Sequence, residues 1–515
     1  MTQRKRLQND LMYPWYVLSV TSLGAFLVLI NIGTLNVALP ELSRQFHTDA
    51  ATSGWILLSY MLVNTILILV FGQVSDIFGR RRMYLIGLGV FTITSFLLGY
   101  SPNAEILILL RIVQAAGGAL VVTNTTPLIT DAFPKTQLGT GLGLNILSAS
   151  IAQVLGPVVG GLVTTAWGWR WVFWFNVPFG IVAFIWGLQI LREKPLTGPR
   201  TKVDRYGGIL VFIALAGLII ALSKGGELGW EDKQVIGGFA VFAIITPIFL
   251  WHEHRSASPL LDISLFKNWM FGMANIATFF HSFARTAVAL LFALYFQFAF
   301  HQNALEAGLR ILPITIGMLI ISPIAGMLTK RIALRVLSSL GILLSIAGLL
   351  LLLFVLGGNF PYGATACGML LIGIGTGLFL TPNTMEIMSS VAENSRGVAN
   401  GLRSMLYNLG QVLSTALSLT IVSAALPAHM KNVLYSGKNA VISDVDFTFI
   451  IHGYRWVIIA LLWTSLLALA ARGFVLIRKT EPTRVLPQPA EFEYGGLIDE
   501  IYAEWKSASG HSKHD

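Results

Sequence analysis

About fourteen stretches of this 515-residue chain are nearly free of charge, and each is close to or beyond the roughly 20 residues that a helix needs to cross hydrocarbon. No water reaches a backbone amide at that depth, so every such stretch must satisfy its hydrogen bonds within itself, as a helix. The spans expected on this basis are 14–39, 53–75, 83–100, 105–131, 138–165, 170–191, 206–223, 233–251, 270–298, 306–328, 335–356, 361–391, 398–425 and 454–477. The fold class expected is an all-α polytopic membrane protein.

Composition points the same way. Hydrophobic residues make up 55% of the chain and charged residues 12%, about half the roughly 25% of an ordinary soluble domain. The excess runs the whole length and leaves no room for a sizeable soluble domain. A net charge of +10 would suit nucleic acid, but the Lys and Arg sit in short joints between spans and form no single face, so no nucleic-acid partner is expected. The first apolar stretch follows Arg4-Lys5-Arg6 yet is too long for a signal-peptide core and shows no small-residue cleavage site before Pro40. It reads as a retained first span. The one cysteine, Cys367, lies inside a span, which excludes an intrachain disulfide and suggests plain packing.

An even number of spans puts both termini on one side. With that side cytoplasmic, about two thirds of the 35 Lys and Arg fall in inner joints and tails, as the positive-inside rule requires. The location expected is therefore the cell (inner, cytoplasmic) membrane, with membrane lipids as partners. Three polar segments interrupt the pattern. The joint 192–205, with Pro195, Gly198 and Pro199, reads as a flexible inner linker. The 426–453 outer loop is weakly amphipathic, and the 478–515 tail carries a short aromatic run including Tyr494 and Trp505.

The joint after the second span reads Gly72-Gln-Val-Ser-Asp76-Ile-Phe-Gly79-Arg80-Arg81-Arg82, and a weaker echo, Gly326-Met-Leu-Thr-Lys330-Arg331-Ile-Ala333-Leu-Arg335, follows the tenth. Two copies imply two six-helix bundles, 1–191 and 270–477, separated by a block 192–269 that holds the linker and two extra helices and followed by the tail 478–515. Parallel repeats of this kind place a small-molecule site near the bilayer midplane, where the halves meet. Further motifs are Arg111-Ile-Val-Gln114-Ala-Ala-Gly117-Gly118 in span 4, Gly143 with Ala152, Gly156, Pro157, Gly160 and Gly161 in span 5, and Gly168-Trp169-Arg170-Trp171 opening span 6.

In these motifs the chain resembles the major facilitator superfamily, and within it the fourteen-span drug:proton antiporter branch. The resemblance implies a secondary active transporter that exports a small amphipathic compound by alternating access, with protons as the coupling ion. It also implies that Gly72, Asp76, Gly79, Arg80 and Arg81 latch the halves, that Arg111 stands beside the proton pathway, and that Gly143, Gly156, Pro157, Gly160 and Gly161 supply close packing and a bend.

One position departs from the family pattern. Span 1 carries Asn31 where the family typically has an aspartate, and an amide cannot carry a proton. Arg111, at a similar depth by residue count, then lacks its acidic neighbour. His281 and Arg285 lie one turn apart on one face of span 9, and Arg403 aligns with Tyr407 and Gln411 in span 13. Glu386 is the one carboxylate clearly inside a span, within reach of Arg396 or Arg403 for neutralisation. If Arg111, Arg285 and Arg403 face a central cavity, that cavity favours an anionic or zwitterionic cargo.

Neutral candidates for the same cavity are Asn31, Tyr60, Asn64, Gln114, Asn145, Gln153, Tyr295, Gln297, Asn383 and Tyr407, and proton carriage is assigned among His281, Glu386 and Arg403. Broad efflux of lipophilic cations, and a non-transporting sensor or lipid-binding protein on the same fold, remain alternatives. No phosphate-cradling loop, zinc-spaced His/Glu pair or nucleophile triad is legible, so neither enzyme activity, ATP, a cofactor nor a metal is expected.

Overall fold

The computed structural model describes residues 3–48, 50–193, 204–256, 259–260, 263–299, 304–356, 362–425 and 444–477, and their regular structure is helical. In chain order the α-helices are α1 Gln3–Phe46, α2 Ala50–Phe78, α3 Arg80–Leu98, α4 Ala104–Ala132, α5 Leu138–Trp167, α6 Arg170–Trp174, α7 Asn176–Ile190, α8 Arg205–Leu228 and α9 Lys233–Arg255. They continue as α10 Trp269–Ala299, α11 Ala304–Arg310, α12 Leu312–Leu328, α13 Leu334–Val355, α14 Tyr362–Ser389, α15 Arg396–Ala425 and α16 Asp444–Ile477. Among the described residues thirteen helical segments are long and apolar enough to span a bilayer, and Leu312–Leu328 is a shorter fourteenth. Residues 194–203 of the linker, 426–443 of the outer loop, the 478–515 tail and the side chain of Gln297 lie outside the description.

Helices begin where a short polar side chain can take up an orphan amide. Asn103 accepts from the Ile106 amide at 2.9 Å, Asp204 from Gly207 at 2.8 Å and Asp232 from Gln234 at 2.8 Å. Between α2 and α3 the reversal is made at Gly79, whose φ of 98° is open to glycine and strained for other residues.

Two expected spans are interrupted. Span 10 divides into α11 and α12 at Ile311; Pro313, in the first turn of α12, has no amide to donate back to α11. Span 6 divides after Trp174, whose carbonyl would have accepted from the missing amide of Pro178. Cys367 is exposed on α14, a membrane-length helix.

Helices α1 to α7 pack chiefly on one another, with α1 against α5 and α3 and α2 against α4. In the second set α14 lies between α12 and α13, and α10 lies against α15. Apolar residues of α16, among them Val457, Leu461 and Ala468, complete that second core. The two sets meet along two seams, α2 on α15 and α5 on α12, and α8 and α9 form a separate antiparallel pair. The close contacts described below lie on these seams.

Candidate functional site

The end of the molecule where α2 turns into α3 is closed by polar contacts between the two sets of helices. Asp76 accepts hydrogen bonds from the amides of Gly397 and Val398, at 3.1 and 3.0 Å, and so caps the N-terminus of α15, a helix of the opposite half. An anion there meets both the orphan amides and the positive end of the helix dipole. Gly72 makes the approach possible, since a β-carbon on it would stand 2.7 Å from the Gly397 carbonyl oxygen. Arg80 donates to Asp76 at 3.1 and 2.8 Å and also to Asp131 and the Glu393 carbonyl. Asp131 in turn takes an ion pair from Arg396 of the opposite half at 2.6 Å. Arg81 instead stays within its own half, donating to Glu193 and to the Leu188 carbonyl, both at 3.2 Å.

The α5–α12 seam rests on small residues. A β-carbon on Gly143 would lie 2.5 Å from the Ser322 carbonyl oxygen, and Gly139 touches Gly326, the first residue of the repeated joint motif. Further along α5, Gly156 faces Gly33 and Gly160 faces Thr34, whereas Gly161 would meet only Val37, at 3.8 Å. Pro157 lies beside Gly33, where its ring packs on α1. Backbones this close hold helices together through dispersion, which lipid would otherwise supply more weakly.

Arg111 is fully buried and its environment is neutral. One guanidinium nitrogen donates to Asn31 at 2.7 Å and to Gln114 at 2.6 Å, and the group lies 4.1 Å over the Tyr60 ring. Gln114 passes the chain on to Ser95 at 2.8 Å. Asn31 thus occupies the place of a counter-ion without supplying its charge. Asn64 donates to the Ala115 carbonyl and Asn145 to the Ser22 hydroxyl, so both tie helices of the first half to each other, and Gln153 is exposed.

The second half holds its charges differently. His281 is buried with its ring tilted on Phe379 at 4.2 Å, and neither ring nitrogen has a hydrogen-bond partner among the described residues. Arg285, half-buried one turn on, has its polar contact with the Met318 sulfur at 3.9 Å. Near them Ser282 donates to the Tyr407 carbonyl at 2.6 Å, and the Ser414 hydroxyl bridges the Phe283 carbonyl and the Ala287 amide. Arg403 is half-buried and donates to Asn400 and to the Ser404 hydroxyl, again neutral groups. Asn383 ties α14 to α10 through Thr278, at 2.8 Å, and Tyr295 packs edge-on against Phe292.

Glu386 does not pair with Arg396 or Arg403. Arg335 approaches it to 3.4 Å, and the fully buried Arg472, which also donates to Ser338 at 2.6 Å, takes its other oxygen. Arg396 is engaged with Asp131 across the seam, and Arg403 points at Asn400. The sequence reading missed Arg472, Asp131 and Gln73. A usable signal existed for the first two: Arg472 is a charge inside the last span, and Asp131 follows Arg80 at the same 51-residue separation that joins Arg335 to Glu386.

Comparison with known proteins adds an independent line. The family profile described as Major Facilitator Superfamily matches residues 21–415 and, in a second placement, 274–511. The chain is 31% identical over 417 residues to the Multidrug resistance protein Stp of Mycobacterium tuberculosis, covering 80% of this chain and 77% of that one. It is 28% identical over 435 residues to the Riboflavin transporter RibZ of Clostridioides difficile, covering 84% and 93%. The crystal structure of the human organic anion transporter MFSD10 has the same fold, with a TM-score of 0.59 over 88% of this chain and 99% of that one at 15% identity.

Proposed function

We propose that this chain, which belongs to the Major Facilitator Superfamily, exports a small amphipathic compound with an anionic or zwitterionic group by alternating access. Membership makes it a multi-pass membrane protein and a secondary transporter, not an enzyme, and its relatives include drug-resistance exporters. The observation that supports the finer reading is Arg285: a guanidinium in the middle of α10 whose polar contact among the described residues is a thioether. A charge at the middle of a span costs about 3 kcal/mol or more unless something polar or anionic reaches it. Cargo with a carboxylate, sulfonate or phosphate would do so, while aromatic and aliphatic walls supply the rest of the affinity.

With both termini cytoplasmic, as the distribution of Lys and Arg favours, the closed end bearing Asp76 and Arg80 is the cytoplasmic one. The halves are residues 1–191 and 270–477. Separation of Asp76 from the α15 amides would then open the inner side. Proton antiport is a second reading, favoured by His281, whose two ring nitrogens are both without partners among the described residues.

The test compares uptake of carboxyfluorescein and of ethidium into inside-out proteoliposomes at two pH values. Wild type should move the anion, and Arg285→Ala should abolish that movement. Anion transport unchanged by the substitution, or transport of ethidium alone, would overturn the anionic reading.

A further inference from the structure

The two extra helices, α8 and α9, touch both halves but are held to them by different forces. On the side of α2 the tie is polar and buried. Gln73, one residue after the start of the joint motif, donates to the Pro259 carbonyl at 3.0 Å and accepts from the Asp204 amide at 3.1 Å. Asp204 sits 2.9 Å from the His252 ring nitrogen, which joins the start of α8 to the end of α9. Both Gln73 and Asp204 are buried. One turn further into the membrane Gly208 faces Val70, and the pair itself is closed by Gly217 against Gly238, where a β-carbon on either would fall within 2.9 Å of the other's carbonyl oxygen.

On the side of α15 the contact is apolar. Val211, Leu215 and Leu218 of α8 share one buried cluster with Leu402, Met405 and Leu409 of α15. Such a surface carries no directional bond. Lipid tails are as apolar as leucine, so lipid can replace it at little cost when the two helices part. Gln73 and Asp204 are buried in this contact, so α2 and α8 can part only by breaking two directional hydrogen bonds together, whereas the apolar face has none to break.

We infer that α8 and α9 travel with the first six-helix set as one rigid body, anchored through Gln73, and that α15 slides along α8 when the halves separate. The extra pair then works as a rail beside the α2–α15 seam, and the moving unit is larger than residues 1–191. The inference rests on the alternating-access reading, and the experiment below separates the two.

The full chain carrying Cys367→Ser, Val70→Cys, Gly208→Cys and Asn400→Cys is reconstituted in liposomes. Asn400 is buried between the halves, where it donates to the Thr123 carbonyl at 2.8 Å, so alkylation there by a membrane-permeant maleimide reports separation of that seam. The same protein is measured with the thiols at 70 and 208 oxidised to a disulfide and then reduced, which holds folding constant. The expected result is ready disulfide formation and a labelling rate at position 400 that changes less than about twofold on reduction.

A rate that rises tenfold or more on reduction overturns the rail, since α8 must then leave α2 for the seam to open. Failure of the disulfide to form overturns it as well. A position 400 that is never labelled, even when reduced, overturns the alternating-access reading and the rail with it.

Discussion

Arg335 lies 3.4 Å from Glu386, 51 residues further along the chain, and Arg80 pairs with Asp131 at the same 51-residue separation. The two pairs occupy matching places, each joining the start of the helix after the joint motif to the end of the next span. Their third partners differ. Asp131 receives Arg396 from the opposite half, whereas Glu386 receives Arg472 from its own. The first pair belongs to a contact between the two sets of helices; the second is sealed inside one set.

Asp131→Asn should therefore act on opening and Glu386→Gln on stability. The first removes the anchor of Arg396 and should speed maleimide labelling at the seam several-fold with little change in melting temperature. The second leaves Arg472 buried beside an uncharged amide, a loss of about 3–5 kcal/mol. Thermal unfolding in detergent, read alongside labelling, checks both; a Glu386→Gln protein that melts like wild type would contradict the assignment.

Asn31→Asp should convert the neutral environment of Arg111 into an ion pair, since the acceptor oxygen already stands 2.7 Å from the guanidinium. A charge-assisted bond of this kind is worth about 1.5–3 kcal/mol. The melting temperature should rise, and uptake of organic anions should fall because part of the positive charge is neutralised. Melting curves and carboxyfluorescein uptake report the two effects separately.

Gly160 and Gly161 are neighbours with opposite tolerance. A β-carbon on Gly160 would lie 2.6 Å from Thr34 backbone atoms, while one on Gly161 would only touch Val37 at 3.8 Å. Gly160→Ala should lose about 1–3 kcal/mol through overpacking of α1 on α5, and Gly161→Ala should be close to neutral. The difference is readable as melting temperature in detergent.

An anionic cargo makes the membrane potential a driving force. Moving one charge through 100 mV is worth about 2.3 kcal/mol, enough for a roughly fifty-fold gradient. With potassium and valinomycin setting the potential at equal pH, carboxyfluorescein should move toward the positive side, and the rate should grow with the imposed voltage. Ethidium driven the opposite way, with no anion movement, would count against the cargo assignment.

Much of this was legible before any coordinates. The joint motif from Gly72 to Arg82, its echo ending at Arg335 and the small residues of α5 are read directly from residue order, and the amide at Asn31 stands out once the family resemblance is drawn. What was misread concerns partners. Glu386 is expected beside Arg396 or Arg403, yet Arg335 and Arg472 hold it.

Residue order by itself determined the spans, their succession and the all-helical class, because in hydrocarbon each helix must satisfy its own backbone and its length and polarity are local properties. Only the tertiary structure decided which charge meets which. That choice depends on the rotation of each helix about its axis and on contacts between residues hundreds of positions apart, as with Asp76 and the amide of Gly397. No periodicity along one span encodes either.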